Sequence, residues 1–141
     1  ALDAYLAEAG SPVTAAVHLH EDGRGFSLAD GLIAETGSVI LSARLPGARR
    51  CAYLADSHFV LLPEEAVCES LGGFLAAAGP DWRRRCGHSL TLITGPSRTA
   101  AIDKVLVLRA HGPRRLVVAT APLALLRPRL DDDLLRPAVT P

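Results

Sequence analysis

Methionine, asparagine and glutamine are missing from this 141-residue chain, and lysine occurs once, at Lys104, against fourteen arginines. Such usage is the mark of a GC-rich coding bias. Lost amides also accompany thermostability, but scarce lysine runs against the usual hyperthermophile pattern, so no temperature is implied. Charge of one sign is lacking too: 15 basic residues meet 15 acidic ones, leaving no global field to draw in nucleic acid or an anionic bilayer. No apolar run approaches the ~20 residues of a membrane-spanning helix. Cys51, Cys68 and Cys86 stand 17 and 18 residues apart, without a CxxC or CxxH pair to chelate zinc or an iron–sulfur cluster. Sparse and odd in number, they fit reduced cytoplasmic thiols better than a disulfide framework. These absences argue against a bulk polyanion binder, a helical membrane span and a metal–thiolate centre, and no metal or cofactor is assigned. No Met leads the chain and a helical pattern is already under way at Leu2, so residues are expected to precede Ala1.

What the chain has is apolar content. With 49% hydrophobic and 21% charged residues it should fold, as one domain. Leu2, Tyr5, Leu6 and Ala9 recur at helical spacing until Gly10, Ser11 and Pro12 stop them. Alternation over residues 13–20 predicts a half-buried strand, and residues 21–25 read as a turn-rich break. The apolar stretches 32–34 and 39–41, split by Glu35, Thr36, Gly37 and Ser38, predict a tight strand–turn–strand element. Residues 45–50 read as a polar loop and 58–62 as a compact strand. Pro63, Glu64 and Glu65 suit a first helical turn, with Val67, Leu71, Phe74, Leu75 and Ala78 along one face and Gly79 and Pro80 closing the helix. Short strands are predicted at 90–94, 105–108 and 116–119, with a helical turn over 99–104 capped by Ser97. Continuous apolar strands separated by helices suit an α/β fold with a largely parallel sheet flanked by helices. From Pro122 the sequence turns rich in arginine, proline and aspartate, so residues 1–121 read as the domain and 122–141 as a C-terminal tail that either packs on a neighbour or frays.

Three segments are too particular in wording for generic core: AETGS at 34–38, TGPSRTAAID at 94–103 and HGP at 111–113. In the second, Gly95 lets the backbone approach a ligand and Pro96 fixes the turn. Ser97 at a helix start would leave N–H groups facing an anion, and Arg98, followed by Thr99, can grip a carboxylate or phosphate through paired hydrogen bonds. The alternative is that Ser97 only caps its helix and Arg98 pairs with a structural acid such as Asp103. Glu35, in a turn between apolar strands, is placed for partial desolvation, which favours work as a base or nucleophile, with the Thr36 hydroxyl and Gly37 N–H beside it; equally it can be a turn acid binding backbone N–H groups. His111 either reaches this loop cluster as a hydrogen-bond donor or proton carrier, or orders its own turn. His18 and His20 share a strand face without further metal ligands nearby, and Arg83, Arg84 and Arg85 form a run suited to facing water.

GPSRTA, followed after an apolar run by HGP and preceded by AETGS, resembles the LUD domain of the lactate utilization protein C (LutC/YkgG) family over residues 26–119. The resemblance implies a fold similar to the NagB/RpiA/CoA transferase-like group, with ligand sites at loops beyond strand ends. It implies a cytoplasmic role beside two iron–sulfur partner proteins in oxidising L-lactate to pyruvate, the clusters belonging to the partners. Three readings follow. The first is a LutC-type component that binds a small carboxylate or phosphorylated ligand through Thr36, Gly37, Gly95, Ser97, Arg98 and Thr99, with Glu35 and His111 as catalytic candidates. The second is a non-catalytic assembly subunit for the iron–sulfur partners, and the third, by fold analogy, a CoA or acyl transferase-like enzyme. Under the first, the Glu35 turn, the Gly95 turn and the His111 loop are expected to form one concave patch.

Overall fold

Phe26, Phe59 and Val117 lie side by side on three parallel strands, and the architecture grows outward from that row. The computed structural model describes residues 2–10, 17–42, 44, 47–80, 84, 89–95, 98–100, 106–108 and 113–130. The row belongs to β2 (Arg24–Leu28), β5 (Ser57–Pro63) and β10 (Arg115–Ala121). An antiparallel strand β1 (Val17–Leu19) on the far side of β2 completes a four-stranded sheet in the order β1-β2-β5-β10. A second sheet has the order β6-β3-β4-β7, from β3 (Gly31–Ile33), β4 (Ser38–Ser42), the two-residue β6 (Val67–Cys68) and β7 (Leu90–Ile93). A separate antiparallel pair joins β8 (Arg98–Ala100) to β9 (Leu106–Leu108).

Burial explains the layering. On one face of the first sheet, Phe26, Leu28 and Leu61 pack under α1 (Leu2–Ala9) and the short α4 (Leu123–Leu126), with Tyr5, Ala9, Leu126 and Leu130 closing that core. The opposite face presents Val60 and Leu62 to Val39 and Leu41 of β4, with Ala52 of α2 (Ala48–Leu54) between the sheets. Ile33 and Ile40, on the outer face of the second sheet, meet Phe74 of α3 (Leu71–Ala78). Helices thus cover both outer faces, and β4, with every residue buried, reads as a continuous apolar run because it is packed on both sides.

The α/β expectation holds, with mixed strand directions: β2-β5-β10 and β3/β6 run parallel, while β1/β2, β3/β4, β4/β7 and β8/β9 are antiparallel. The strand–turn–strand at 31–42 and the strand at 58–62 form as expected. Three local readings are corrected. Residues 48–54, read in part as loop, form α2, because Ala48, Cys51 and Ala52 can bury one face. That helix end presses so close to β2 that a Cβ on Gly25 would come 2.7 Å from the Ala55 Cβ, which explains the glycine. The helix expected from Pro63 starts later: β5 runs through Pro63, a 3-10 turn spans Glu64–Ala66, and Ser70 caps α3 by accepting the Gly73 N–H at 3.0 Å. Finally, the helical turn expected to begin at Thr99 is a strand at its start, since Thr99 pairs with Val107 and both are β-branched.

Candidate functional site

The turn between β3 and β4 is built by Gly37, whose φ of 70° lies where other residues are strained and whose N–H donates to the Ile33 carbonyl at 2.8 Å. Residues 34–37 are exposed at its tip. On one side the turn is tied to the chain after β6: Ala34 N–H donates to the Cys68 carbonyl at 2.7 Å, and Glu35 N–H to the Glu69 carbonyl at 3.2 Å. The result is an open cleft of about 490 Å³ lined by Ala34, Glu35, Glu69 and Ser70. On the other side β4 pairs with β7, Val39 opposite Ile93, so Thr94 follows directly beside Ser38. A hydroxyl chain crosses there: Thr36 Oγ1 to Ser38 Oγ at 2.7 Å, then Ser38 Oγ to Thr94 Oγ1 at 2.6 Å. Ser38 is buried, whereas Thr36 and Thr94 are exposed. Gly95 turns the chain with φ 78° and has open space where a Cβ would be.

Of the residues expected to converge, Glu35, Thr36, Gly37 and Gly95 are therefore neighbours at one rim of the second sheet. Arg98 and Thr99 lie in β8, three and four residues past Gly95, so the anion cradle expected from a helix N-terminus is replaced by a strand at Arg98. Ser97 and His111 lie outside the described residues. Glu35 is exposed, without the partial desolvation expected of it. Ser38 and Thr94 lie in the segments marked by sequence but carry no assigned role there, and Glu69 and Ser70 lie outside those segments. The parallel β3/β6 pairing that brings Glu69 alongside Glu35 spans more than thirty residues and leaves no local signal.

The chemistry of the rim is acidic and hydroxylic. Two carboxylates on the cleft repel a bare anion but accept hydrogen bonds from a hydroxyl, and the hydroxyl chain can both donate and accept. A second polar pair lies in the core instead: Ser27 Oγ and His58 Nε2 are 2.8 Å apart, at 1% and 0% exposure. Burial alone pushes the imidazole down to about 4, so it is neutral at physiological pH. Burial likewise raises the neighbouring Cys51 thiol and so keeps it protonated. No substrate reaches this pair. Among the described residues, no group of three or more His, Cys, Asp or Glu side chains is placed to hold a metal ion, and no helix is long and apolar enough to cross a membrane.

Comparison with known proteins bears on the whole fold. The sequence profile of the LUD domain matches residues 23–119. Lactate utilization protein C of Deinococcus radiodurans is 34% identical over 61% of this chain and 40% of its own length. The protein of the same name from Anoxybacillus flavithermus is 28% identical over 63% and 39%. The chain thus spans about two fifths of the length of these curated relatives. A crystal structure of a DUF162 family protein from D. radiodurans superposes with a TM-score of 0.51 at 24% identity, covering 70% of this chain and 52% of that one.

Proposed function

The chain belongs to the LUD domain family, and from that premise we propose that it acts in lactate utilization as a LutC-type component, taking a small 2-hydroxy carboxylate at the rim of the second sheet. The observation that supports this reading is the hydroxyl chain Thr36–Ser38–Thr94, which ties the Glu35 turn to the Gly95 turn and so brings two distant motifs side by side. Its chemistry matches a 2-hydroxy acid in two halves. The carboxylates of Glu35 and Glu69 accept the ligand hydroxyl, while Arg98 is the residue of the matching motif whose planar, permanently charged group suits the ligand carboxylate. Glu35 and His111 remain the catalytic candidates. Relatives named for lactate utilization support the process, and the proposed setting is the cytoplasm beside iron–sulfur partner proteins.

The test is an NMR titration with L-lactate, following the amides of Ala34, Glu35, Thr36, Glu69, Ser70, Thr94 and Gly95, alongside growth on lactate. Arg98→Lys keeps the charge but loses the fork, so it is expected to weaken binding about tenfold and slow growth with an unchanged melting temperature. An Arg98→Lys protein that binds, melts and supports growth like wild type removes the ligand reading and leaves the assembly-subunit reading in its place.

A further inference from the structure

A larger concavity lies away from that rim, on the opposite face of the first sheet. Between α1 and β10 runs a groove of about 670 Å³, whose walls include Tyr5, Glu8, Phe59, Arg115, Val117 and Ala119. That volume is in the range of small-molecule sites. Its floor is apolar for a reason set by register: Val117 stands opposite Phe59, and Ala119 opposite Leu61, so residues 59, 117 and 119 share one face. Small Ala119 leaves the space that a larger residue would fill. The Tyr5 hydroxyl is turned away to backbone, donating to the Ser27 and Phe59 carbonyls at 3.3 and 3.2 Å, so its ring is what the groove meets.

Charge breaks the symmetry of this groove. Arg24, at the same register level as Arg115 across Ser57, is fully engaged: its Nη1 meets Glu8 Oε1 at 3.0 Å and its Nε meets Asp22 Oδ2 at 2.9 Å. Asp3 on the same helix is taken by Arg129 at 2.6 Å. Glu8 is therefore paired where it lines the groove, although Arg24 divides its single charge between Glu8 and Asp22. Arg115 has no acidic partner among the described residues; its guanidinium carbon sits 5.9 Å from the centroid of the Phe59 ring. Among the described residues the groove thus offers one cation without an acidic partner, Arg115, beside an apolar trough of Phe59, Val117 and Ala119, along a strand segment of about 16 Å.

We propose that this groove is a second binding site, for an amphipathic monoanion of the medium-chain carboxylate class, with the carboxylate on Arg115 and the hydrocarbon along Phe59, Val117 and Ala119. A di- or trianion gains little from a single free cation, and a neutral hydrocarbon leaves Arg115 unused. The assignment is independent of the lactate reading, because no residue is shared between the groove and the rim.

The experiment is an amide NMR titration of the full chain with octanoate, with 1-octanol as the uncharged probe and acetate as the one without a hydrocarbon chain. Octanoate is expected to saturate, shifting the amides of Phe59 and residues 115–120 and sparing those of Glu35, Glu69 and Ser70. Arg115 is exposed and bonds to no acid among the described residues, so Arg115→Ala should melt like wild type and raise the octanoate Kd about tenfold or more, with octanol unaffected. Ala119→Phe, which fills the trough, should abolish binding of both long probes. Absence of saturation, shifts confined to the rim, or an Arg115→Ala effect below about threefold would each overturn the proposal.

Discussion

Two hydrogen-bonded hydroxyl networks of nearly equal geometry sit in the two sheets, and they have opposite fates. In the first sheet Ser27 and His58 approach to 2.8 Å, the separation expected of a nucleophile and its base, yet neither touches solvent. In the second, Thr36, Ser38 and Thr94 form a chain with only its middle member buried, opening on the rim beside an acidic cleft. Hydrogen-bond distance therefore says little about chemistry until access is known. Burial that removes His58 from substrate also pushes its imidazole down to about 4, so the ring is neutral; Ser27 satisfies its Nε2, while its Nδ1 is buried with no hydrogen-bond partner among the described residues. The rim network lacks that desolvation and keeps ends free to meet a ligand.

The largest expected effect lies where the two regions are joined. The chain crosses from β2 to β3 at Asp30, which is 2% exposed and accepts from Ser42 N–H at 2.7 Å and from Arg44 Nε at 2.6 Å. Asp30→Ala leaves a buried amide and a mostly buried guanidinium without their carboxylate, so unfolding free energy in urea should fall by about 3–5 kcal/mol. A loss under about 1 kcal/mol would show that the sheets hold register without this tie.

The next effect belongs to the sealed network alone. His58 is depressed in the folded state from 6.5 to about 4, so the unfolded chain binds the proton first. Stability from this group is complete above about pH 6.5 and drains away as pH falls toward 4, a total of roughly 3 kcal/mol. The imidazole carbon shifts should stay those of a neutral ring down to about pH 4; a midpoint near 6.5 would mean that water reaches the pair.

The sequence made the α/β class and most strands legible, because burial on both faces writes itself as apolar runs such as HFVLL at 58–62. It misled where tertiary packing overrode local preference. The Pro63-Glu64-Glu65 start looks like a helix entry, yet Pro63 pairs opposite Ala121 as the last residue of β5. The helical turn read from Thr99 gave way to a strand at its start for the converse reason, since Thr99 finds Val107 as a cross-strand partner that no short window reveals. The rim was half legible: AETGS and TGPSR marked both turns, but Glu69 joined them only through pairing at long range.

A smaller effect is expected at the middle of the rim network. Ser38 is 3% exposed and bridges two hydroxyls, so Ser38→Ala should cost about 1 kcal/mol, because Thr36 and Thr94 can turn to water. Under the lactate proposal the same change also loosens the Glu35 turn from the Gly95 turn, and binding should weaken with it. A stability loss near 3 kcal/mol would make the rim a sealed network like the other.

The smallest expected change is the most discriminating. Thr36→Val keeps the side-chain shape, removes one hydroxyl from an exposed turn and should alter stability by less than about 0.5 kcal/mol. If the Thr36 hydroxyl joins the Glu35 and Glu69 carboxylates in holding a 2-hydroxy acid at the rim, that one hydrogen bond is worth about 1 kcal/mol and L-lactate affinity should fall by roughly fivefold. Ser27→Ala inverts the pattern. It orphans the buried His58 Nε2, should lower stability by about 1–3 kcal/mol, and should leave L-lactate affinity unchanged at temperatures where the protein stays folded. Melting curves and lactate titrations on the two single variants therefore separate a network that holds the core from one that meets a ligand. If Thr36→Val and Ser27→Ala shift the same quantity in the same direction, access does not distinguish them, and the rim loses its claim as the site.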